Sequence, residues 1–416
     1  MNKVQNIWRC NKEKLFSLSD QGIVSGTNFL VAILISKFGG LETYGEYAII
    51  WLGFFLLHGL MTSFIGLPFL VLGNKAQCIH KYCTRNLQLL NVSLLLIWCA
   101  CVIILFILHQ FYPSVVVLSN YLLIPSAVIM FVKHEQHRRF LFAKGMNKTA
   151  LLVDMIAYFL QVPCLVLIGV VWELSLESVF SILLTLGGLS NLVFHIVTSE
   201  NKLFGPFRSL PLIENWRYAK FLIATNLIQF TSSNFLLLSL GLILGVSAVA
   251  TVRLVQNLMG VLHVFFMTIE NVVPAKASLL LHKYSSKHFK TYFKAVVKKS
   301  SIFFGLVLGM LWILKAEILS FIYGSEFVRN EDLFGWFIIL YIFIFSGTLI
   351  QIYLKTTEAN KAIFIAYIVS LIASFLTSNY LIETFDIFGY VYGLMLFQLI
   401  GIGIYLVSIK RMNYDQ

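Results

Sequence analysis

The chain is short of charged residues. Asp, Glu, Lys and Arg together make up 12% of its 416 residues, whereas hydrophobic residues reach 59%. The mean hydropathy is +0.84. A soluble protein cannot bury that much apolar surface in its core, so the composition excludes a soluble globular protein. A bilayer accepts such a chain, at about 20 apolar residues for each helix that crosses it.

Long connections and familiar catalytic patterns are missing too. The polar segments between apolar stretches are too short to hold a catalytic domain. Neither the phosphate-binding pattern GxxxxGK[ST] nor the zinc-protease pattern HExxH occurs. We therefore expect that the protein is not an enzyme, needs no cofactor and has no nucleic-acid partner, since no soluble module could hold one.

Twelve continuously apolar stretches predict twelve transmembrane helices. Strands of a membrane barrel would alternate instead. The predicted spans are 16–36, 47–73, 87–109, 113–132, 149–172, 179–199, 221–243, 248–273, 300–319, 334–354, 362–382 and 389–409.

Lys and Arg collect on every second connection. The two termini and these connections hold 27 of the 31 basic residues, while the opposite connections hold only Lys37, Lys315 and Arg329. The positive-inside rule then places both termini in the cytoplasm. The formal net charge of +12 is explained by this topology and by contact with anionic lipid headgroups.

Cysteine is scarce, and none of it falls on a connection predicted to lie outside, where disulfides persist. We expect six thiols and no structural metal. The six are Cys10, Cys78, Cys83, Cys99, Cys101 and Cys164.

An internal repeat is present at an offset of 206 residues. Three matches share this register: Ser25-Gly26-Thr27-Asn28-Phe29 with Thr231-Ser232-Ser233-Asn234-Phe235, Gly39 with Gly245, and Pro68 with Pro274. An even number of spans separates the copies, so both insert the same way up. The expected fold is an all-α membrane protein with two six-helix lobes, 1–205 and 206–416, and the substrate between them. Chance recurrence of Asn, Gly and Pro is the alternative.

Polar residues form one stripe along the eighth span, because they recur at spacings of three and four. The stripe comprises Arg253, Gln256, Asn257, Gly260, His263, Met267, Glu270 and Asn271. A stripe of this length faces a partner helix or a water-filled cavity rather than lipid.

Arg253 is the one cation in the interior of a predicted span, since Lys315 lies four residues from the outer end of the ninth. In a functional role Arg253 lines a pathway for an anion. In a structural role its side chain extends outward to the membrane interface, or pairs with an acid. For His263 a hydrogen-bonded helix contact competes with a proton relay. For Glu270 a plain interfacial pair with Lys276 is favoured over a role in ion coupling.

Shorter polar faces lie on the first and seventh spans, which the repeat relates to each other. We predict that they are walls of one cavity, although hydrogen bonds between helices would also explain them. With the eighth span they give nine predicted substrate-cavity residues: Gln21, Ser25, Asn28, Gln229, Asn234, Arg253, Gln256, Asn257 and His263.

Asp20 and Asp154 lie only a few residues inside the first and fifth spans. Each is a candidate for binding a coupling ion or for an ion pair. Their shallow positions favour simple solvation at the membrane interface.

Several segments resemble the polysaccharide flippases of the multidrug/oligosaccharidyl-lipid/polysaccharide (MOP) exporter superfamily. They are residues 19–29 (SDQGIVSGTNF), 41–47 (LETYGEY), 138–145 (RRFLFAKG) and 323–327 (YGSEF). The resemblance covers the whole chain in topology and about a quarter of it in recognisable patches.

The resemblance implies Wzx-type activity, the movement of undecaprenyl-pyrophosphate-linked oligosaccharide from the cytoplasmic to the outer leaflet of the bacterial inner membrane. It implies a cavity lined by spans one, two, seven and eight, with cationic residues, of which Arg253 is the one well placed here. The implied partners are the lipid-linked glycan, membrane lipids and the polymerase or ligase machinery, and the chain is expected to be a monomer.

Two other classes compete with a flippase. A cation-coupled multidrug antiporter of the same superfamily requires an acidic ion site deep in one lobe. A membrane enzyme that polymerises or ligates glycans requires a large outward loop with catalytic groups, and the outward connections here are too short.

Overall fold

The computed structural model describes residues 3–72, 79–111, 120–198, 210–260, 286–357 and 359–414, with a few further positions within 262–280. The regular structure in these residues is helical, as the composition predicted. The helices are α1 Lys3–Met61, α2 Leu67–Leu72, α3 Ile79–Phe111, α4 Asn120–Ala143, α5 Asn147–Asp154, α6 Gln161–Val171, α7 Leu176–Thr198, α8 Leu212–Leu244, α9 Val246–Met259, α10 Ser286–Ile313, α11 Lys315–Tyr323, α12 Glu331–Thr356 and α13 Asn360–Tyr414.

Eight helical stretches of the described chain are long and apolar enough to cross a membrane. Two of them, Ser19–Phe69 and Lys361–Arg411, have 51 residues each. A straight helix of that length would measure about 77 Å, more than twice the thickness of the hydrocarbon core. The count of twelve spans and the orientation of the termini stay predictions.

A glycine breaks α1 where the sequence predicted a ten-residue connection. Gly40 has φ 80° and ψ 173°, and the helix resumes directly after it. Gly245, between α8 and α9, has φ 86° and ψ 174°. Only glycine adopts this backbone conformation without strain. The repeat paired Gly245 with Gly39, but by backbone conformation its counterpart is Gly40, one residue further along.

Other helix ends also differ from the predicted ones. The predicted ninth span, 300–319, is interrupted at Leu314, between α10 and α11. The last long stretch bends at Asp386, which has φ 50° and ψ −135°. α4 continues eleven residues past the predicted end of the fourth span, through the cations assigned to a cytoplasmic connection.

The chain divides into two compact units, Met1–Leu227 and Ile228–Gln416. The predicted lobe boundary at 205/206 lies outside the described residues and stays a prediction. In the first unit α4 packs against α1, α3, α5 and α7. In the second unit α12 packs against α9, α10 and α13.

Candidate functional site

The first unit buries a run of polar residues on α4. His134, Glu135, Gln136 and His137 are four consecutive residues, and each is at most 8% exposed. Four consecutive positions point in directions spread over about 300° of a helix, so this part of α4 is enclosed on nearly all sides. Each polar side chain there needs a partner within the unit.

Arg138 joins three carboxylates. Its Nη2 lies 2.6 Å from Asp20 Oδ2, its Nε lies 2.5 Å from Asp154 Oδ2, and its Nη1 lies 3.6 Å from Glu135 Oε2. The Asp20 and Asp154 side chains are 1% and 0% exposed, and that of Arg138 is 15% exposed. We call Asp20, Glu135, Arg138 and Asp154 the N-terminal charge cluster.

A histidine and a tyrosine also contact these acids. His134 Nε2 lies 3.0 Å from Asp154 Oδ1, and His134 Nδ1 lies 3.1 Å from the hydroxyl of Ser190 on α7. The hydroxyl of Tyr158 donates a hydrogen bond to Glu135. Asp154 therefore has a guanidinium on one oxygen and an imidazole on the other, which fixes its orientation.

Two π-helical turns flank the buried segment of α4. One spans Thr62–Gly66 and the other Met155–Phe159. Gln136 Nε2 donates to Thr62 Oγ1 at 3.1 Å in the first, and Tyr158 belongs to the second. π-turns occur often at functional sites, because the extra residue redirects nearby side chains.

The burial of Asp20 and Asp154 corrects the expectation that both are solvated at the interface. That expectation came from their distance to the ends of apolar stretches, which ignores what lies across from them. The spacing of Arg138 from His134 and Glu135, four and three residues, was a usable signal, because such residues share a helix face. Nothing in the sequence joins that face to Asp20, 118 residues away.

The second unit holds a cluster with a different character. Arg253 Nη1 donates to Gln256 Oε1 at 3.2 Å, and Arg253 Nη2 donates to Asn234 Oδ1 at 3.4 Å. Gln256 Nε2 in turn donates to the hydroxyl of the buried Tyr390 at 2.8 Å. We call Asn234, Arg253, Gln256 and Tyr390 the C-terminal polar cluster.

The partners of Arg253 among the described residues are neutral. Within the described part of the chain, no carboxylate comes within 4 Å of its guanidinium. The pairing with an acid that the sequence left open is therefore not seen. A half-buried guanidinium with amide partners retains most of its charge for a ligand.

The other predicted cavity residues are dispersed over exposed faces. Gln21, Ser25 and Asn28 are exposed on α1, and Gln21 Nε2 donates to Ser25 Oγ at 3.2 Å. Gln229 is exposed on α8, and Asn257 is half-buried on α9.

Two further predicted residues of the eighth span are His263 and Glu270. His263 is outside the described residues, as is Lys276, the predicted partner of Glu270. Glu270 itself is exposed.

Comparison with known proteins gives the fold. No family model matches the chain, and no curated protein matches it. An inward-facing multidrug resistance MATE family transporter of the MOP superfamily aligns at a TM-score of 0.72 with 12% identity, covering 93% of this chain and 94% of its own. The lipid II flippase MurJ in an inward closed conformation aligns at 0.71 with 16% identity, covering 95% and 87%.

A third structure extends the same likeness. A single-residue mutant of the Vibrio cholerae MATE transporter VcmN aligns at a TM-score of 0.63 with 12% identity over 99% of this chain and 97% of its own. The chain therefore has the fold of MOP superfamily transporters over nearly its whole length. At these identities the likeness establishes the fold and not the substrate.

Proposed function

We propose that the protein is a flippase for undecaprenyl-pyrophosphate-linked oligosaccharide repeat units, the precursors of O-antigen, capsule or another surface polysaccharide. It moves them from the cytoplasmic to the outer leaflet of the bacterial inner membrane by gradient-driven alternating access. The observation that carries the proposal is Arg253, a guanidinium held by amide oxygens inside a transporter fold.

The chemistry of the substrate matches such a group. A pyrophosphate accepts charge-assisted hydrogen bonds from the fork of a guanidinium, and these are roughly twice as strong as neutral ones. Each sugar hydroxyl costs several kcal/mol if it enters hydrocarbon without a partner, so a polar path is needed. The exposed amides and hydroxyls of Gln21, Ser25, Asn28 and Gln229 are suited to sugars for this reason.

The energy of transport has two candidate sources. Outward movement of an anion is favoured by an inside-negative potential, by about 2.3 kcal/mol per charge per 100 mV. The N-terminal charge cluster is a candidate site for a coupling ion, because its three carboxylates outnumber its one guanidinium. A proton or metal cation that binds there competes with Arg138 for Asp20 and Asp154.

The alternative is a cation-coupled multidrug antiporter. It gains support from the fold shared with MATE transporters and from the burial of Asp20 and Asp154. Arg138 weighs against it, because its guanidinium already contacts both carboxylates. Arg253 also favours an anionic substrate.

Deletion of the gene in its native host tests the proposal. A flippase predicts loss of surface glycan together with accumulation of single lipid-linked repeat units at the cytoplasmic leaflet. Normal surface glycan in a host without a second flippase would reject it. Increased sensitivity to cationic drugs in that same strain would establish the antiporter.

A further inference from the structure

The second unit has an apolar groove between α10, α12 and α13, with a volume of about 500 Å³. We call it the C-terminal groove and define it by Lys290, Phe293, Lys294, Val297, Leu349 and Tyr353. Clefts of roughly 300–1,000 Å³ are the usual size of small-molecule sites in proteins. Further along the same helix α10 exposes Ile302 and Leu306, at 56% and 71%, and such apolar side chains are suited to contact with lipid.

The positive charge is confined to one end of this groove. Lys290 and Lys294 are one helical turn apart in the first turns of α10, so both reach the same end. The ring of Tyr353, in the last turn of α12, lies 5.4 Å from that of Phe293 and closes that end. The lining contains two ammonium groups and no carboxylate.

The first unit has a second groove of the same kind between α3 and α4, with a volume of about 360 Å³. Asn91 and Lys133 stand at one end of it, and Trp98 and Ser126 at the other, joined by a 2.9 Å hydrogen bond. We call it the N-terminal groove. Lys133 is half-buried, and in the described part of the chain no acid pairs with it.

The repeat relates one wall of the two grooves. Adding the offset of 206 to Asn91 and Leu95 gives Val297 and Ser301, and all four residues line a groove. The opposite walls are not related, because the α4 residues of the N-terminal groove shift to positions 332–339, which do not line the C-terminal groove. The two grooves therefore share one wall in the repeat. Both combine an apolar channel with lysine at the end that the charge pattern assigns to the cytoplasm.

We propose that each groove binds one anionic phospholipid of the surrounding cytoplasmic leaflet, with its phosphate on lysine and one acyl chain in the channel. Basic pockets between transmembrane helices on the cytoplasmic side are suited to such headgroups, because each Lys or Arg near the surface adds about 1 kcal/mol of attraction to anionic lipid. The C-terminal groove, with two lysines, is the tighter site. This inference does not depend on the identity of the transported substrate.

The test is lipid retention on the purified full-length protein. The protein is stripped of lipid in detergent, mixed with phosphatidylglycerol or zwitterionic phosphatidylcholine, and examined by native mass spectrometry. Two phosphatidylglycerol molecules should remain bound under conditions that remove phosphatidylcholine. The double substitution K290Q/K294Q should weaken retention of the tighter lipid about thirtyfold, and K133Q should weaken the other about fivefold.

A matched variant tests whether lipid retention depends on the lysines of the grooves or on the overall positive charge of the protein. K299Q/K361Q removes two exposed lysines that line neither groove and should retain both lipids. Val297→Phe fills the channel without changing charge and should displace the tighter lipid. Equal retention in K290Q/K294Q and K299Q/K361Q would overturn the proposal, as would equal binding of the two phospholipids. Binding of a polyprenyl phosphate in place of phosphatidylglycerol would overturn it too, since the occupant would then be a carrier lipid.

Discussion

The N-terminal charge cluster and the C-terminal polar cluster both place an arginine inside a membrane protein, but the partners of the two arginines differ in charge. Arg138 lies against three carboxylates, two of which are almost completely buried. Arg253 contacts two neutral amides. The first arrangement satisfies its charges within the protein, whereas the second leaves a charge for a ligand. Arg138 should therefore matter most for stability, and Arg253 most for transport.

The largest expected effect follows removal of Arg138. R138A leaves Asp20 and Asp154 buried without their cation, and breaking a buried pair in this way costs about 3–5 kcal/mol. The measurement is thermal unfolding in detergent. The triple variant D20N/R138M/D154N removes all three charges together and should be closer to wild type than R138A. If R138A alone unfolds like wild type, Arg138 does not stabilise the buried carboxylates.

Removal of Arg253 should leave stability nearly intact and stop export. A hydrogen bond to a charged group contributes about 1.5–3 kcal/mol, so R253A should reduce export roughly 10- to 150-fold. R253K keeps the charge and should retain more export than R253A, if charge rather than the forked geometry matters. Surface glycan is measured at matched membrane levels of the three proteins. Unfolding of R253A comparable to that of R138A would erase the distinction between the clusters.

The two buried aspartates, Asp20 and Asp154, are expected to contribute unequally to stability. Asp154 contacts both Arg138 and His134, whereas among the described residues Asp20 is ion-paired with Arg138 alone. D154N should therefore lower the free energy of unfolding roughly twice as much as D20N does, by about 3 kcal/mol against about 1.5 kcal/mol. Denaturant unfolding of the two variants gives the comparison. A larger cost for D20N would show that Asp20 has the dominant role in the cluster.

A smaller loss of export is expected when Tyr390 is substituted. Y390F removes the hydroxyl that accepts from Gln256, and a neutral hydrogen bond contributes about 1 kcal/mol. Gln256 is then free to rotate away from Arg253, so export should fall about fivefold with little loss of protein. The double variant R253A/Y390F should be no worse than R253A, because Tyr390 acts through Arg253. Additive losses would indicate an independent role.

The smallest effect is expected on the exposed face of α1. Q21A removes a surface hydrogen bond to Ser25 and should change stability by less than about 0.5 kcal/mol. If the residue contacts sugar, export of the native glycan will fall while stability does not change. Equal export in Q21A and wild type would remove Gln21 from the substrate path.

Hydropathy predicted the all-helical membrane fold because each apolar stretch is a local property of the chain. It failed at α4, where a run of polar and charged residues after residue 132 looks like a connection but is helical, with residues 134–137 buried. Arg138 in this run pairs with Asp20 on α1 and Asp154 on α5, and pairing at such separations is not visible in a sequence. Arg253 was found because it stands alone within an apolar stretch. Arg138 was missed because its neighbours in sequence are also charged.

The breaks in the helices at glycine show a second limit of prediction from sequence. The repeat singled out Gly245 but paired it with Gly39, so Gly40 itself was not identified. Local composition gave a connection of ten residues at Gly40, because Lys37, Glu42 and Glu46 are charged. A single glycine with positive φ turns the chain there, so the charged residues remain helical.

The most direct test of the central claim is flipping in vesicles. Purified wild type, R253K and R253A are reconstituted with an undecaprenyl-pyrophosphate-linked oligosaccharide that starts in one leaflet, and its arrival in the other is followed with an impermeant glycosidase. The account predicts rapid transfer by wild type, intermediate transfer by R253K and transfer near the protein-free background for R253A. Transfer by R253A at the wild-type rate would contradict the role of Arg253, and no transfer by folded wild-type protein under an imposed gradient would contradict the flippase itself.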